Sequence, residues 1–459
     1  MTLRVFTNGW YGRPCAIEQD AWEKTPEVEV IRWPNFDTYD HRTKQRRMPD
    51  EDPWVFLEGD QYEASSNIRY YGVMIDKIRA SKPDMVITNF INDAVTGELR
   101  KDLKDVSLFC VSKEAARLEA DREYQTEVMN ALGVARSRSV KVRNLEEVER
   151  TVPAWNGKYV VKGQHSGTMQ VEICEDLAAV REAVRKWPTR ELPVVVEEFL
   201  EGFEIAFAGF VDYRQETMFY PVLTDFEYTK LCAGDIGPET GEMGIHDMAG
   251  VPRIIQWQVF EKLKPWFREV EYVGWFDVSG IFTDDGFKVF ECMTRNGSTQ
   301  LENVCAMMRE PFWSLCLKLV NGCLHQKDID YRFKHAVSVC VNKIAARAPT
   351  VMSEDVWEFM FRGRMFRDRG NVPCLTRINR KQVNVINEYQ VITAGDMPLT
   401  LTSASNLYIA AQVESHELIE RFVKGDLYCR NDIGWRYTNP GINGRLVAAN
   451  LMREEGVVL

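Results

Sequence analysis

Val196-Glu197-Glu198-Phe199-Leu200-Glu201-Gly202-Phe203-Glu204 reads as an apolar strand running out into a carboxylate-rich turn. A strand that ends this way offers backbone groups to the edge of an adenine. A carboxylate a few residues later accepts hydrogen bonds from both hydroxyls of a ribose. Alone, the stretch also reads as a solvated turn, so its meaning depends on its surroundings. Upstream, Tyr159-Val160-Val161-Lys162 is a second apolar strand, ending in a lysine and a glycine-containing loop, Gly163–Gly167. Such a loop suits a lid, and His165 within it reads as an exposed loop histidine.

Two further clusters lie downstream. Lys288-Val289-Phe290-Glu291-Cys292-Met293-Thr294-Arg295-Asn296-Gly297 puts a carboxylate and a guanidinium at the end of a hairpin strand. Mg2+ prefers hard oxygen ligands and is usually held by one or two carboxylates plus substrate phosphates, and arginine stabilises a phosphoryl group in transfer. The competing reading is a surface ion pair. Gly234-Asp235-Ile236-Gly237-Pro238-Glu239-Thr240-Gly241-Glu242-Met243-Gly244 is the other cluster. Four glycines in so short a span predict a polar loop whose backbone approaches a small anion.

In order and spacing these pieces resemble the glycinamide ribonucleotide synthetase family of ATP-grasp ligases. Its E-E-F-L-x-G-x-E is matched at Glu197–Glu204, its G-D-x-D-T-G-P-N-T-G-G-M-G at Gly234–Gly244, and its V-x-E-F-N-x-R-x-G at Val289–Gly297. Cys429-Arg430-Asn431-Asp432-Ile433-Gly434-Trp435-Arg436 is similar to its closing C-R-x-D-I-G-W-R. The resemblance implies an α/β and α+β multidomain fold. That fold comprises an N-terminal Rossmann-like parallel sheet (1–111), a central ATP-grasp domain (112–330) and a mixed α/β C-terminal domain (331–459).

It also implies roles. Glu197 and Leu200 face adenine, Glu204 holds the ribose, and Lys162 reaches the phosphates, with Arg122 standing where the family has another lysine. Glu291 ligands Mg2+ (or Mn2+), Arg295 contacts the phosphoryl group or the acid, and Thr240, Gly241 and Gly244 seat the acid. The implied reaction is ATP-dependent. A small, glycine-like amino acid becomes an acyl phosphate, and an amine such as phosphoribosylamine displaces the phosphate, as in purine biosynthesis. No nucleophilic side chain is needed, which agrees with the lack of a Ser/His/Asp or Cys/His arrangement.

Three positions depart from the pattern. Met293 replaces the family's second metal ligand, an asparagine, and a thioether is a poor partner for a hard cation. Asp277, on the facing hairpin strand, and Asn296 are the candidates to replace it. The segment Gly163–Gly167 is shorter than the family's lid and lacks its lysine. In the first domain, Asn8-Gly9-Trp10-Tyr11-Gly12-Arg13 and Asn89-Phe90-Ile91-Asn92-Asp93-Ala94 stand where the family has G-G-R-E-H and G-P-E-x-P-L. Two further readings follow: the same chemistry on a different amine, such as a nucleotide or modified-base amine or an amino acid, or a nucleotide-binding protein without turnover.

The remaining sequence sets limits. A chain of 459 residues exceeds one hydrophobic core. Its net charge of −11, with both signs interleaved, gives no field for a nucleic-acid polymer. No run approaches the roughly 20 apolar residues needed to span a bilayer, and the start has no cleavable leader pattern. Eleven scattered cysteines without a C-x2-C pair suit a reducing cytoplasm, and most of them, such as Cys316 and Cys340 in apolar runs, are read as core residues. Small molecules are therefore the expected partners. A helix is predicted from a Ser112 cap, continuing or restarting near Asp121 and ending at Gly133. Others are predicted over Asp176–Lys186, Val251–Phe267 and Phe312–Leu324, with a hairpin joining Gly274–Phe282 to Lys288–Cys292. Trp275 and Trp313 read as core, and Trp435 with Arg436 as an anchor for the C-terminal domain.

Overall fold

Strand β1 (Arg4–Gly9), helix α1 (Arg13–Lys24) and strand β2 (Glu29–Trp33) open the chain with an alternation that builds parallel sheets. Helix α2 (Tyr71–Ser81), β3 (Met85–Asn89), α3 (Asp93–Asp102) and β4 (Ser107–Phe109) continue it. The resulting sheet is parallel, in the order β2-β1-β3-β4. The computed structural model describes residues 2–9, 13–33, 71–89, 93–155, 157–163, 171–187, 192–343 and 397–438, with short segments at 39–40, 45–46, 352, 356, 365–369, 372–380, 383–387 and 390–393. The lid beyond Gly163, with His165, and the loops at 10–12 and 90–92 lie outside the described residues.

The helix predicted from Ser112 does restart. Helix α4 (Lys113–Ala120) is capped by Ser112, whose side chain accepts from the Ala115 N–H. Helix α5 (Arg122–Ala131) is capped by Asp121, which accepts from Glu123 and Tyr124. Each cap satisfies orphan donors of the first turn, and Gly133, at φ +65°, follows the second helix. A small antiparallel sheet comes next, built from β5 (Ser139–Val142), β6 (Tyr159–Gly163), β7 (Val171–Cys174) and β8 (Val194–Glu198) in the order β5-β8-β6-β7. Helices α6 (Leu145–Thr151) and α7 (Leu177–Lys186) cover its apolar face, with Asp176 capping α7.

A second, ten-stranded sheet holds β9 (Phe203–Asp212), β10 (Phe219–Cys232), β11 (Ile236–Ala249), β12 (Val273–Thr283) and β13 (Gly286–Met293). Its order runs β13-β12-β9-β10-β11 and continues into β14 (His335–Lys343), β17 (Leu399–Ser405), β16 (Val372–Arg380) and β15 (Met365–Arg369), with β18 (Leu427–Tyr428) pairing β14. Strands from the central and C-terminal parts of the chain therefore share one sheet. Helix α8 (Glu261–Glu269) packs on one face, and on the other lies α9 (Ser298–Met307), all ten of whose residues are buried. Helices α10 (Phe312–Val320) and α11 (Tyr408–Phe422) complete the cover.

Two expectations change here. The glycine-rich stretch is not a loop: Gly234 and Asp235 turn with positive φ, and Ile236–Ala249 is one arm of a long hairpin. Irregular pairing between Tyr228 and Cys232 absorbs the glycines, while the burial of Met243, Ile245 and Met248 fixes the strand. The helix predicted over Val251–Phe267 divides into a short turn at Arg253–Ile255, a π-helical turn at Gln256–Phe260, and α8.

Helix α1 fastens the first sheet to the rest. Asp20 Oδ2 accepts from the Phe312 N–H at 2.8 Å, Lys24 Nζ donates to the Cys305 carbonyl at 3.0 Å, and the buried Arg377 pairs with Glu23. Arg13 Nε donates to the Asn296 carbonyl at 2.9 Å, joining the exit of β1 to the turn after β13. Among the described residues, no helix is long and apolar enough to cross a membrane.

Candidate functional site

The two antiparallel sheets face each other across a cleft of ≈ 310 Å³, within the range of small-molecule sites. Its walls bring Lys162 from β6, Glu197 from β8, Leu200, Glu204 from β9, Thr240 and Gly241 from β11, Glu291 from β13, and Arg122 from α5 into one space. Val160, Val171, Ile173, Phe199, Ile281 and Phe290 supply apolar surface. Val171 and Ile173, on the edge strand β7, leave 38% and 40% of their surface open toward the cleft.

The cations are poised rather than free. Lys162 Nζ lies 3.0 Å from Glu197 Oε2 and 4.9 Å from the centre of the Phe290 ring. Arg122 donates to the carbonyl of Gly163, the last residue of β6. Burial pushes Glu197 up, but Lys162, with Arg136 and Arg122 behind it, outweighs burial and holds the carboxyl below its usual range. Its Oε2 also accepts from Ser137 Oγ at 3.1 Å.

The carboxylates behave in the opposite way. Burial pushes Glu204 up to about 7, with Glu239 and Glu291 adding repulsion that Arg436 and Lys162 only partly offset. Burial likewise raises Glu227, with Glu204 the next influence. Such crowding of buried acids is costly unless cationic groups or a metal share the space.

Not every predicted residue enters the cleft. Asp277 lies behind it, wholly buried, its Oδ2 accepting from Gln300. Burial, with Glu119 and Glu291 nearby, lifts its carboxyl to about 7 against the pull of Gln300 and Arg295. Arg295 is held by the buried Glu119 at 3.0 Å, and Glu119 also accepts from the Thr294 N–H. Gly244 has a packing role, because a Cβ there would meet the Ser338 carbonyl at 2.7 Å and Ile433 at 2.8 Å. Glu119, Ser137, Glu227 and Gln300 escaped the sequence reading because each is recruited by folding from a segment without motif character.

The closing Cys429–Arg436 segment grips the hairpin tip. Arg430 Nη1 donates to Asp235 Oδ1 at 2.9 Å, the Gly234 N–H donates to Asp432 Oδ2 at 2.7 Å, and Arg436 Nη1 donates to the Glu227 carbonyl at 2.6 Å. The anchoring expected of Arg436 is therefore directed at the strand carrying Glu227.

Residues 120–299 match the family described as phosphoribosylglycinamide synthetase, ATP-grasp (A) domain. The chain carries an ATP-grasp domain of the phosphoribosylglycinamide synthetase type. The phosphoribosylamine–glycine ligase of Streptomyces coelicolor is 28% identical over 226 residues, 47% of this chain and 52% of that one, so the chain spans about half the length of this relative. The corresponding ligase of Corynebacterium ammoniagenes is 24% identical over 378 residues, 79% of this chain and 84% of that one. In three dimensions the phosphoribosylamine–glycine ligase of Thermotoga maritima superposes with a TM-score of 0.70 at 21% identity, covering 94% of this chain and 100% of that one. The cleft lies within the matched segment, whose limits take in Arg122 at one end and Glu291 and Arg295 at the other.

Among the described residues, no three His, Cys, Asp or Glu side chains converge on a protein-only metal site. Mg2+ keeps waters and substrate phosphates as ligands and takes only one or two carboxylates from a protein. The donor set fits: Glu291 faces the cleft, and Asp277, on the neighbouring strand, has a buried Oδ1 without a hydrogen-bond partner.

Proposed function

We propose that the protein is an ATP-dependent carboxylate–amine ligase acting on a small, glycine-like amino acid, with phosphoribosylamine as the amine, in cytoplasmic purine biosynthesis. The observation that carries this reading is the convergence of Lys162, Glu197, Glu204 and Glu291 on one cleft between two β layers. Val160, Ile173 and Leu200 sandwich the adenine, and Glu204, once ionised, accepts from the ribose hydroxyls. Lys162 and Arg122 hold the phosphates. Thr240, whose hydroxyl donates to the Thr229 carbonyl at 2.6 Å, and Gly241 line the acid's entrance.

Glu291 and Asp277 would hold Mg2+ or Mn2+, which neutralises charge on the phosphate oxygens. The acid's carboxylate oxygen attacks the γ-phosphorus as the bond to ADP breaks. The amine nitrogen then attacks the acyl carbon and phosphate leaves. Arg295, immobilised by Glu119, stands ready to contact the acid or the transferring group. Closure over the cleft keeps water from hydrolysing the acyl phosphate.

A different amine acceptor is the second reading, favoured by the departures at Asn8–Arg13 and Asn89–Ala94 from the family's acceptor motifs. Phosphate release separates the two. Release that requires ATP, glycine and phosphoribosylamine supports the first, whereas release with glycine and another amine but not phosphoribosylamine supports the second. Nucleotide binding without turnover on any pair would refute both.

A further inference from the structure

Helix α9 follows the turn that carries Arg295, and Gln300 in its first turn is 1% exposed. A buried amide is costly unless its hydrogen-bonding positions are met: two lone pairs on Oε1 and two N–H groups on Nε2. All four are met here. Oε1 accepts from the Trp275 Nε1–H at 3.1 Å and from the Gly297 N–H at 3.1 Å. Nε2 donates to Asp225 Oδ2 at 3.2 Å and to Asp277 Oδ2. These partners fix which way the amide faces, because turning it over would set its carbonyl against two carboxylates and its NH2 against two N–H donors.

The two oxygens of Asp277 are treated differently as a result. Oδ2 is held by a neutral donor, whereas Oδ1 is buried and has no hydrogen-bond partner. A donor on one carboxylate oxygen is the usual means of aiming the other at a metal. A neutral amide does this without competing for the charge, as a lysine or arginine in its place would. Asp225, the other recipient, lies on β10, three strands from the β13 that carries Glu291, whereas Asp277 lies on the strand next to it. Gln300 also joins Asp277 to the arginine turn. The Gly297 N–H that it holds follows Arg295 and Asn296, and the Asn296 carbonyl accepts from Arg13 Nε at 2.9 Å.

We infer that Gln300 is a positioning residue: it holds Asp277 by one oxygen so that the other is presented to the nucleotide-bound cation, and it keeps that carboxylate in register with the turn carrying Arg295. The inference deepens the ligase reading and rests on it, because that reading supplies the cation.

Mn2+ binding to the protein loaded with a non-hydrolysable ATP analogue, followed by the electron paramagnetic resonance signal of free Mn2+, tests this. Gln300→Met, unbranched and of similar length, should weaken Mn2+ by about tenfold or more while the cation-free analogue binds as before. In an Asp277→Asn background the same change should alter Mn2+ affinity by less than about twofold, since nothing remains to be positioned. Should Gln300→Met not fold, Gln300→Asn keeps an amide in the buried layer but is one methylene too short to bridge, and the same two outcomes are expected of it. A lower Tm with unaltered Mn2+ affinity, or a loss that recurs in full without Asp277, would overturn the positioning role and leave the ligase reading standing. Failure of the unaltered protein to take up the analogue with Mn2+ would remove both.

Discussion

Asp277 stands directly opposite Met293 in the pairing of β12 with β13, two pairs along the strands from Ser279 and Glu291 and on the same face. A carboxylate therefore sits across the strand from the position where a hard ligand is missing. Directly opposed residues in an antiparallel pair have Cβ atoms about 5 Å apart, close enough for side chains to exchange a role. Asp277→Asn is expected to raise the Mg2+ concentration needed for half-maximal phosphate release by about tenfold or more, and adding Met293→Asn should recover part of it. A magnesium titration of the single and double variants decides this. An unchanged requirement in Asp277→Asn would remove Asp277 from the metal site.

Glu204 gives the site a pH dependence whose sign follows from its environment. Its carboxyl, pushed up to about 7, binds a proton more tightly in the folded protein than in the unfolded chain. Its contribution to stability is thus complete below the ordinary glutamate range and is lost as pH rises through 7. Nucleotide binding runs the other way, because only the carboxylate accepts from both ribose hydroxyls. ATP-analogue affinity is expected to fall about tenfold between pH 8 and pH 6, and Glu204→Gln should flatten that profile. A profile that stays steep in Glu204→Gln would assign the titration to another group.

The bond between Lys162 and Glu197 makes a third expectation. Lys162→Met removes the charge that holds Glu197 below its usual range and leaves a buried carboxyl beside Ser137. ATP-analogue binding should weaken by about tenfold or more, and the protein should lose about 1–3 kcal/mol of stability at neutral pH. If Glu197→Gln restores stability but not nucleotide affinity, the lysine serves the phosphates directly. Recovery of both would reduce it to a structural partner.

The parts of this site legible in the sequence are those whose chemistry is local. Glu197, Glu204 and Glu291 end or begin strands whose apolar alternation is plain, and the Ser112 and Asp121 caps announce the two helices beneath Arg122. The hairpin of β10 and β11 was less legible because glycine content signals a loop, whereas the pairing of Lys230 with Glu239 and the burial of Met243–Met248 determine a strand. Gln300 and Glu119 were invisible for a different reason. A polar residue on a helix normally faces water, and only the packing of α4 and α9 against the sheet aims these two at Arg295 and Asp277.

Gly241 and Gly244 separate a ligand-facing role from a packing role within one strand. An added methyl at Gly241 meets nothing within 4 Å, whereas at Gly244 it meets the Ser338 carbonyl at 2.7 Å and Ile433 at 2.8 Å. Neither neighbour is the far end of a flexible chain, because one is strand backbone and the other sits in the segment clamped by Arg430 and Arg436. Gly244→Ala is therefore expected to cost about 1–3 kcal/mol by forcing β11 away from β14, visible as a lower Tm with or without ligands. Gly241→Ala should leave the Tm of the free protein within about 1 °C, since nothing must move. Because Gly241 lines the cleft, the same methyl should raise the KM for the acid several-fold while leaving that for ATP unchanged. The reverse pattern, a destabilised Gly241→Ala and a Gly244→Ala altered only in KM, would show that the cleft lies on the other side of this strand.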